Sequence, residues 1–150
     1  MAKIDFKEIA DKGSCIPLAT DLILHEKDNP EQIIQNGTAL GQVIEEAAQR
    51  FHTELAVPMM DLRIEKEALL SILHPELETA ATYHFTAAPT EADIQRVEQA
   101  LTAQLTPAMQ AHCDAIRYIS EKTELAPTGM AIGPFSLMTK LMDDPIVSVC

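Results

Sequence analysis

Apolar residues recur at helical spacing over most of the chain, and between the helical stretches they gather into short continuous runs. That pattern predicts amphipathic helices alternating with brief buried strands. Ile4, Phe6, Ile9 and Ala10 outline a first helix that stops at Gly13, where glycine suits a helix C-terminus. Residues 15–19 read as a first strand or an extended entry, and the apolar character continues through residues 20–25. After the polar EKDNPEQ stretch, Pro30 opens a helix predicted to reach about His52, with Leu40, Val43, Ile44 and Ala47 on its apolar face. Gly37 and Gly41 each cost a helix interior roughly 1 kcal/mol against Ala, so a break is expected near Asn36-Gly37.

The chain is organised around LAVPMMDLRIEKEAL, residues 55–69, where an apolar run predicted as a strand over 55–60 ends abruptly in Asp61. Parallel strands buried on both faces give such runs, and ligands meet the C-terminal ends of those strands. Asp61 is therefore the first candidate for catalysis. Its alternative role is to cap the next helix by accepting backbone N–H groups. Pro58 cannot donate a ladder hydrogen bond and points to an edge or a bulge. A helix is expected over 64–73, ending before His74-Pro75. Over 80–86 the weak alternation of Tyr83 and Phe85 against His84 predicts a short strand or extended loop.

Thr90 is placed to cap a helix over 91–105, with Ile94, Val97, Ala100, Leu101 and Leu105 on one face, and Pro107 starts a second helix over 108–122. An apolar strand is predicted at 130–132, turning at Gly133-Pro134 into Phe135-Ser136-Leu137. Asp143-Asp144-Pro145 restarts the chain, which finishes in an apolar run over 146–150. Neither a short-period repeat nor a low-complexity linker stands out.

With 150 residues, 47% of them apolar, the chain is expected to form one globular domain. Its apolar runs are too short for a membrane span and its start lacks a signal-peptide core, which predicts a cytoplasmic protein without a membrane partner. Three widely spaced cysteines, Cys15, Cys113 and Cys150, suit reduced thiols. A formal charge of −12 argues against nucleic acid, and against a polyanionic substrate unless the few basic residues are focused in one place.

Three stretches together resemble the uroporphyrinogen decarboxylase superfamily, which also holds corrinoid-dependent methyltransferases that act on thiols. MMDLRIEKEAL is similar to the family's strand ending in Asp and followed by a Glu- and Ala-rich helix. AIGPFSLMTKLM is similar to its glycine-proline-phenylalanine turn and the helix beyond, and Ile16-Pro17-Leu18 lies where the family places its first strand. The resemblance implies an α/β fold, the first part of a (β/α)8 TIM-type barrel that does not close within this chain, since a whole barrel takes about 250 residues. The chain would then be a truncated gene product, or its missing half would come from elsewhere; the open sheet edge would favour pairing in a homo-oligomer, and the chain alone is expected to be inactive.

The family's decarboxylases are implied to bind an acidic tetrapyrrole with N-terminal arginines beside an aspartate matched by Asp61. No arginine precedes Arg50, and lysine does not reproduce the planar fork. The resemblance therefore leans towards methyl transfer to a thiol, with a small-molecule or corrinoid-protein substrate. Zinc and a corrinoid are implied for a complete methyltransferase, and neither is expected on this chain alone. Gly133, Pro134, Phe135 and Ser136 are the substrate-binding candidates; they equally fit a tight turn with Phe135 packed inward. Five histidines and three cysteines make no metal pattern, so no metal ligand is assigned. Met59, Met60, Met130, Met138 and Met142 read as core gap fillers or a cofactor lining. Glu45, Glu46, Glu65 and Glu67 read as solvated helix faces. A non-catalytic module that oligomerises or docks a partner through its open sheet edge is the competing class.

Overall fold

The computed structural model describes residues 6–13, 15–77, 79–80, 82–100, 105–144 and 146. Its helices are α1 (Phe6–Asp11), α2 (Thr20–His25), α3 (Pro30–Ile33), α4 (Gly37–Arg50), α5 (Ile64–Leu73), α6 (Glu91–Ala100), α7 (Pro107–Lys122) and α8 (Pro134–Leu141). Two short strands, β1 (Leu55–Ala56) and β2 (Ala126–Pro127), pair in parallel. The chain divides into two compact units. One runs up to Met60 and adds Pro107–Met130; the other holds Asp61–Thr106 and the chain from Ala131 onward.

In the first unit α4 packs along α7, and two glycines one turn apart set the approach. A Cβ on Gly41 would stand 2.6 Å from Cδ1 of Tyr118, and one on Gly37 would collide with Cβ of Asp114. Across the contact α7 buries the small side chains Ala111 and Ala115. The glycines predicted to weaken this helix instead admit its neighbour. Leu40 and Ile44 join Ala115, Ile119 and Ala56 in one core, while Val43 and Ala47 meet Ile23 and Leu24 of α2 in another. The expected break is present: Asn36 Oδ1 accepts the Ala39 N–H at 2.9 Å and caps α4. At its far end His52 takes φ +53°, in the region glycine favours.

The sheet is shorter than the apolar run predicted. The amides of Ala126 and Thr128 donate to the carbonyls of Glu54 and Ala56, at 2.9 and 3.1 Å. The next rung would need an N–H from Pro58, which has none, so β1 stops at Ala56 rather than reaching residue 60. The second strand lies at Ala126–Pro127, not at 130–132, and Pro127 is tolerated because donors alternate along a parallel pair. Residues 15–19, predicted as a strand or extended entry, contain no strand among their described residues; helix α2 follows directly. Both strands are entered through Thr-Glu-Leu-Ala, at 53–56 and 123–126. The Thr53 hydroxyl oxygen accepts the Leu55 N–H, and that of Thr123 the Leu125 N–H, each at 3.1 Å.

In the second unit α5 packs against α6 and α8. Thr90 caps α6 as expected, in a reciprocal box: its hydroxyl accepts the Asp93 N–H at 3.3 Å, and Asp93 accepts the Thr90 N–H at 2.9 Å. Leu101, placed on the apolar face of this helix, lies outside the described residues, as does the run over 147–150. Phe85 forms a single parallel bridge with Met142. Tyr83 and Phe85 share a side, as the alternation predicted, with ring centroids 5.2 Å apart, and the His74 ring lies tilted against Tyr83 with centroids 4.6 Å apart. The whole is a mixed α/β architecture with a short parallel sheet, compatible with part of an α/β fold. No helix among the described residues is long and apolar enough to cross a membrane.

Candidate functional site

Asp61 opens the second unit, in the short turn between the end of the apolar run and the start of α5. Its side chain is only 10% exposed. Both carboxylate oxygens are engaged by Arg63: Nε donates to Oδ1 at 2.9 Å and Nη2 to Oδ2 at 2.8 Å, while the Arg63 backbone N–H also reaches Oδ1 at 3.0 Å. Two residues is the span over which an Asp side chain folds back on its own turn, so the local sequence Asp-Leu-Arg suits the fork. The capping alternative is met in modified form. Asp61 holds the N–H of the residue at the helix N-cap, and Arg63 itself makes no side-chain cap.

One turn on, Glu65 Oε1 accepts the Ile132 N–H at 2.9 Å. This bond ties the start of α5 to the segment just before Gly133, so two regions separated by 67 residues in sequence are joined through one carboxylate. The prediction that Glu65 lies on a solvated face is corrected by that contact. The same holds in the first unit for Glu45, which accepts from the Tyr118 hydroxyl at 2.9 Å, whereas Glu46, paired with Lys27 at 2.6 Å, keeps its side chain 44% exposed, as a solvated face requires. Beside Glu65, Lys66 is buried at 5% exposure, and burial together with the nearby charge of Lys140 holds its pKa below the ordinary lysine value.

Gly133 is extended, with φ −71° and ψ 154°, and Pro134 occupies the first turn of α8, where its missing N–H costs nothing. Phe135 is 63% exposed, which rules out the inward-packed alternative. Ser136 offers its carbonyl to the Thr139 hydroxyl at 2.8 Å. Asp61 and the Gly133–Ser136 turn thus belong to one compact unit, connected by the Glu65 to Ile132 bond. Arg63, Glu65 and Lys66 were not singled out from sequence as site residues; the acid-two-base spacing of Asp61 and Arg63 was the available signal.

Among the described residues no group of three or more His, Cys, Asp or Glu is placed to hold a metal ion. Cys15 and Cys113 are free and exposed, and Cys150 lies outside the described residues. Met59 packs partly against the α2–α4 core as a gap filler, whereas Met60 is 52% exposed.

No curated protein and no solved structure matches the chain. A family model described as Uroporphyrinogen decarboxylase (URO-D) matches residues 19–145. That span takes in Asp61, its Arg63 partner and the Gly133–Ser136 turn, and the chain belongs to the uroporphyrinogen decarboxylase family.

Proposed function

We propose that this stretch supplies part of the catalytic barrel of a uroporphyrinogen decarboxylase-superfamily enzyme, with methyl transfer to a thiol as its reaction and Asp61 at the active-site mouth. The observation that carries the reading is the Asp61 carboxylate, nearly enclosed and fixed on both oxygens by Arg63. A carboxylate held this way is a pre-oriented anion. It can accept a hydrogen bond from a substrate N–H or S–H, and its orientation does not depend on water. Gly133, Pro134, Phe135 and Ser136 form the substrate-facing turn, with the exposed Phe135 ring as its apolar element.

Methyl transfer is favoured over decarboxylation because the first 49 residues hold no arginine to clamp a polycarboxylate. Zinc, which would acidify the acceptor thiol, and a corrinoid methyl donor belong in this reading to the completed enzyme. No group of three or more His, Cys, Asp or Glu among the described residues is placed to hold that zinc. With two short strands among its described residues where a barrel has eight, the stretch is expected to turn over nothing by itself. The substrate is a small thiol or a corrinoid protein.

The test is turnover by an enzyme carrying this stretch, assayed in parallel on methylcobalamin with a thiol and on uroporphyrinogen. Methyl transfer that disappears in Asp61→Asn, with thermal unfolding unchanged, is the expected result. Decarboxylation of uroporphyrinogen would replace this reading with tetrapyrrole chemistry. No activity of either kind would favour the non-catalytic module.

A further inference from the structure

The second unit contains a groove of about 380 Å3 between α5, α6 and α8. Leu69 and Leu73 of α5, Ile94 and Val97 of α6, and Leu137 and Leu141 of α8 form its walls. Each helix contributes residues three or four apart, so each presents one apolar stripe inward. Phe85 and Met142, bridged to each other, close one side. The volume lies within the range of small-molecule sites and has room for roughly a dozen non-hydrogen atoms at about 30 Å3 each. It is too small to seat the broad surface of a folded partner.

The groove's chemistry narrows the occupant. Two charged residues border it, Asp93 and Glu98. Asp93 is committed elsewhere: its carboxylate accepts the Thr90 hydroxyl at 2.7 Å and Arg96 at 2.5 Å. The other bordering residues are all apolar, so a polar or anionic ligand would lose its hydration without compensation. Leaving the walls wet is also unfavourable, with Ile94 at 43% exposure. Met138 and Met142, flexible and polarisable, let the walls adapt to planar or branched shapes. We propose that this groove is a binding site for a neutral, apolar small molecule of about aromatic tricyclic or short alkyl-chain size. Pro134, the second residue of the Gly133–Ser136 turn, also lines this groove.

The probe is 1-aminoanthracene, a neutral arene whose emission rises in apolar surroundings, titrated into the whole chain and displaced by unlabelled dodecanol. Saturable one-to-one binding is expected. Ile94→Asp, at a position already exposed enough to leave the fold intact, should weaken it at least tenfold, as should Val97→Trp by filling the groove. Glu98→Gln should leave it unchanged. The proposal is overturned by three results: no saturable binding; equal binding in Ile94→Asp when circular dichroism shows that variant folded; or loss in Glu98→Gln, which would mean the ligand is a cation. Concentration-dependent self-association that Ile94→Asp abolishes, without dye binding, would assign the groove to a second copy instead.

Discussion

Gly41 lies directly against the ring of Tyr118, and the hydroxyl of the same tyrosine donates to Glu45, one turn further along the glycine's own helix. The close approach and the hydrogen bond are therefore one contact between α4 and α7. Gly41→Ala gains up to about 1 kcal/mol of helix propensity, yet it places a methyl 2.6 Å from the ring carbon. Overpacking of that kind costs about 1–3 kcal/mol, so a net loss is expected in thermal or urea unfolding. Adding Gly41→Ala to a Tyr118→Ala background should cost much less than adding it to the wild type, since the ring it strikes is gone.

The Tyr118 contact also sets a pH dependence. Its hydrogen bond to Glu45, followed by burial and the charge of Glu45, raises its pKa above the ordinary 10.0. A raised folded-state value means the stabilisation is complete below pH 10.0 and is lost as pH rises through the folded value. Tyr118→Phe should be about 0.5–1.5 kcal/mol less stable than wild type near neutrality, and the gap should close in unfolding curves taken at increasingly alkaline pH.

At the opposite extreme, the α6 cap depends on ionised Asp93, whose pKa is lowered to about 2 by Thr90 and then by Arg96. A lowered folded value means that its contribution is present above the ordinary 3.8 and is lost as pH falls through about 2. Helical circular dichroism should show a loss over that window, and Asp93→Asn should remove the acid-dependent step.

His52 carries a side chain at φ +53° at the end of α4. His52→Gly removes a left-handed strain of about 1–2 kcal/mol, offset in part by the greater freedom of glycine in the unfolded chain. A small rise in melting temperature is expected.

Glu65→Ala should release the Ile132 amide, which now donates to that carboxylate. Hydrogen exchange read residue by residue should speed at Ile132 while the amides in the middle of α4 and α7 stay protected. Unchanged exchange at Ile132 would show that α5 does not anchor the segment leading to Gly133.

Most helix positions were legible because amphipathic spacing, Pro30, Thr90 and Pro107 are local signals that the structure follows within a few residues; α2, over residues read only as an apolar continuation, was not. The sheet was less legible. An apolar run over 55–60 looks like a full strand, but its length is decided by whether residue 58 can donate to a partner strand 70 residues away. The twice-used Thr-Glu-Leu-Ala was the signal for where both strands begin, and it places the second strand ahead of 130–132. Gly37 and Gly41 were misread because helix propensity is a property of one helix, whereas their effect belongs to the pair. At the candidate site Asp61 and the Gly133–Ser136 turn could be named from sequence. The Arg63 fork had a local signal in its two-residue spacing from Asp61, but the Glu65 tether had none, since an acidic residue near a helix start is ordinarily solvated.

The most direct measurement is the turnover of Asp61→Asn beside Arg63→Lys in an enzyme carrying this stretch, with melting temperatures recorded for both. If the forked carboxylate is the chemical centre, Asp61→Asn abolishes methyl transfer. Arg63→Lys, which keeps the charge but breaks the two-point hold, lowers the rate, and both proteins melt as the wild type does. Wild-type turnover in Asp61→Asn would contradict the account.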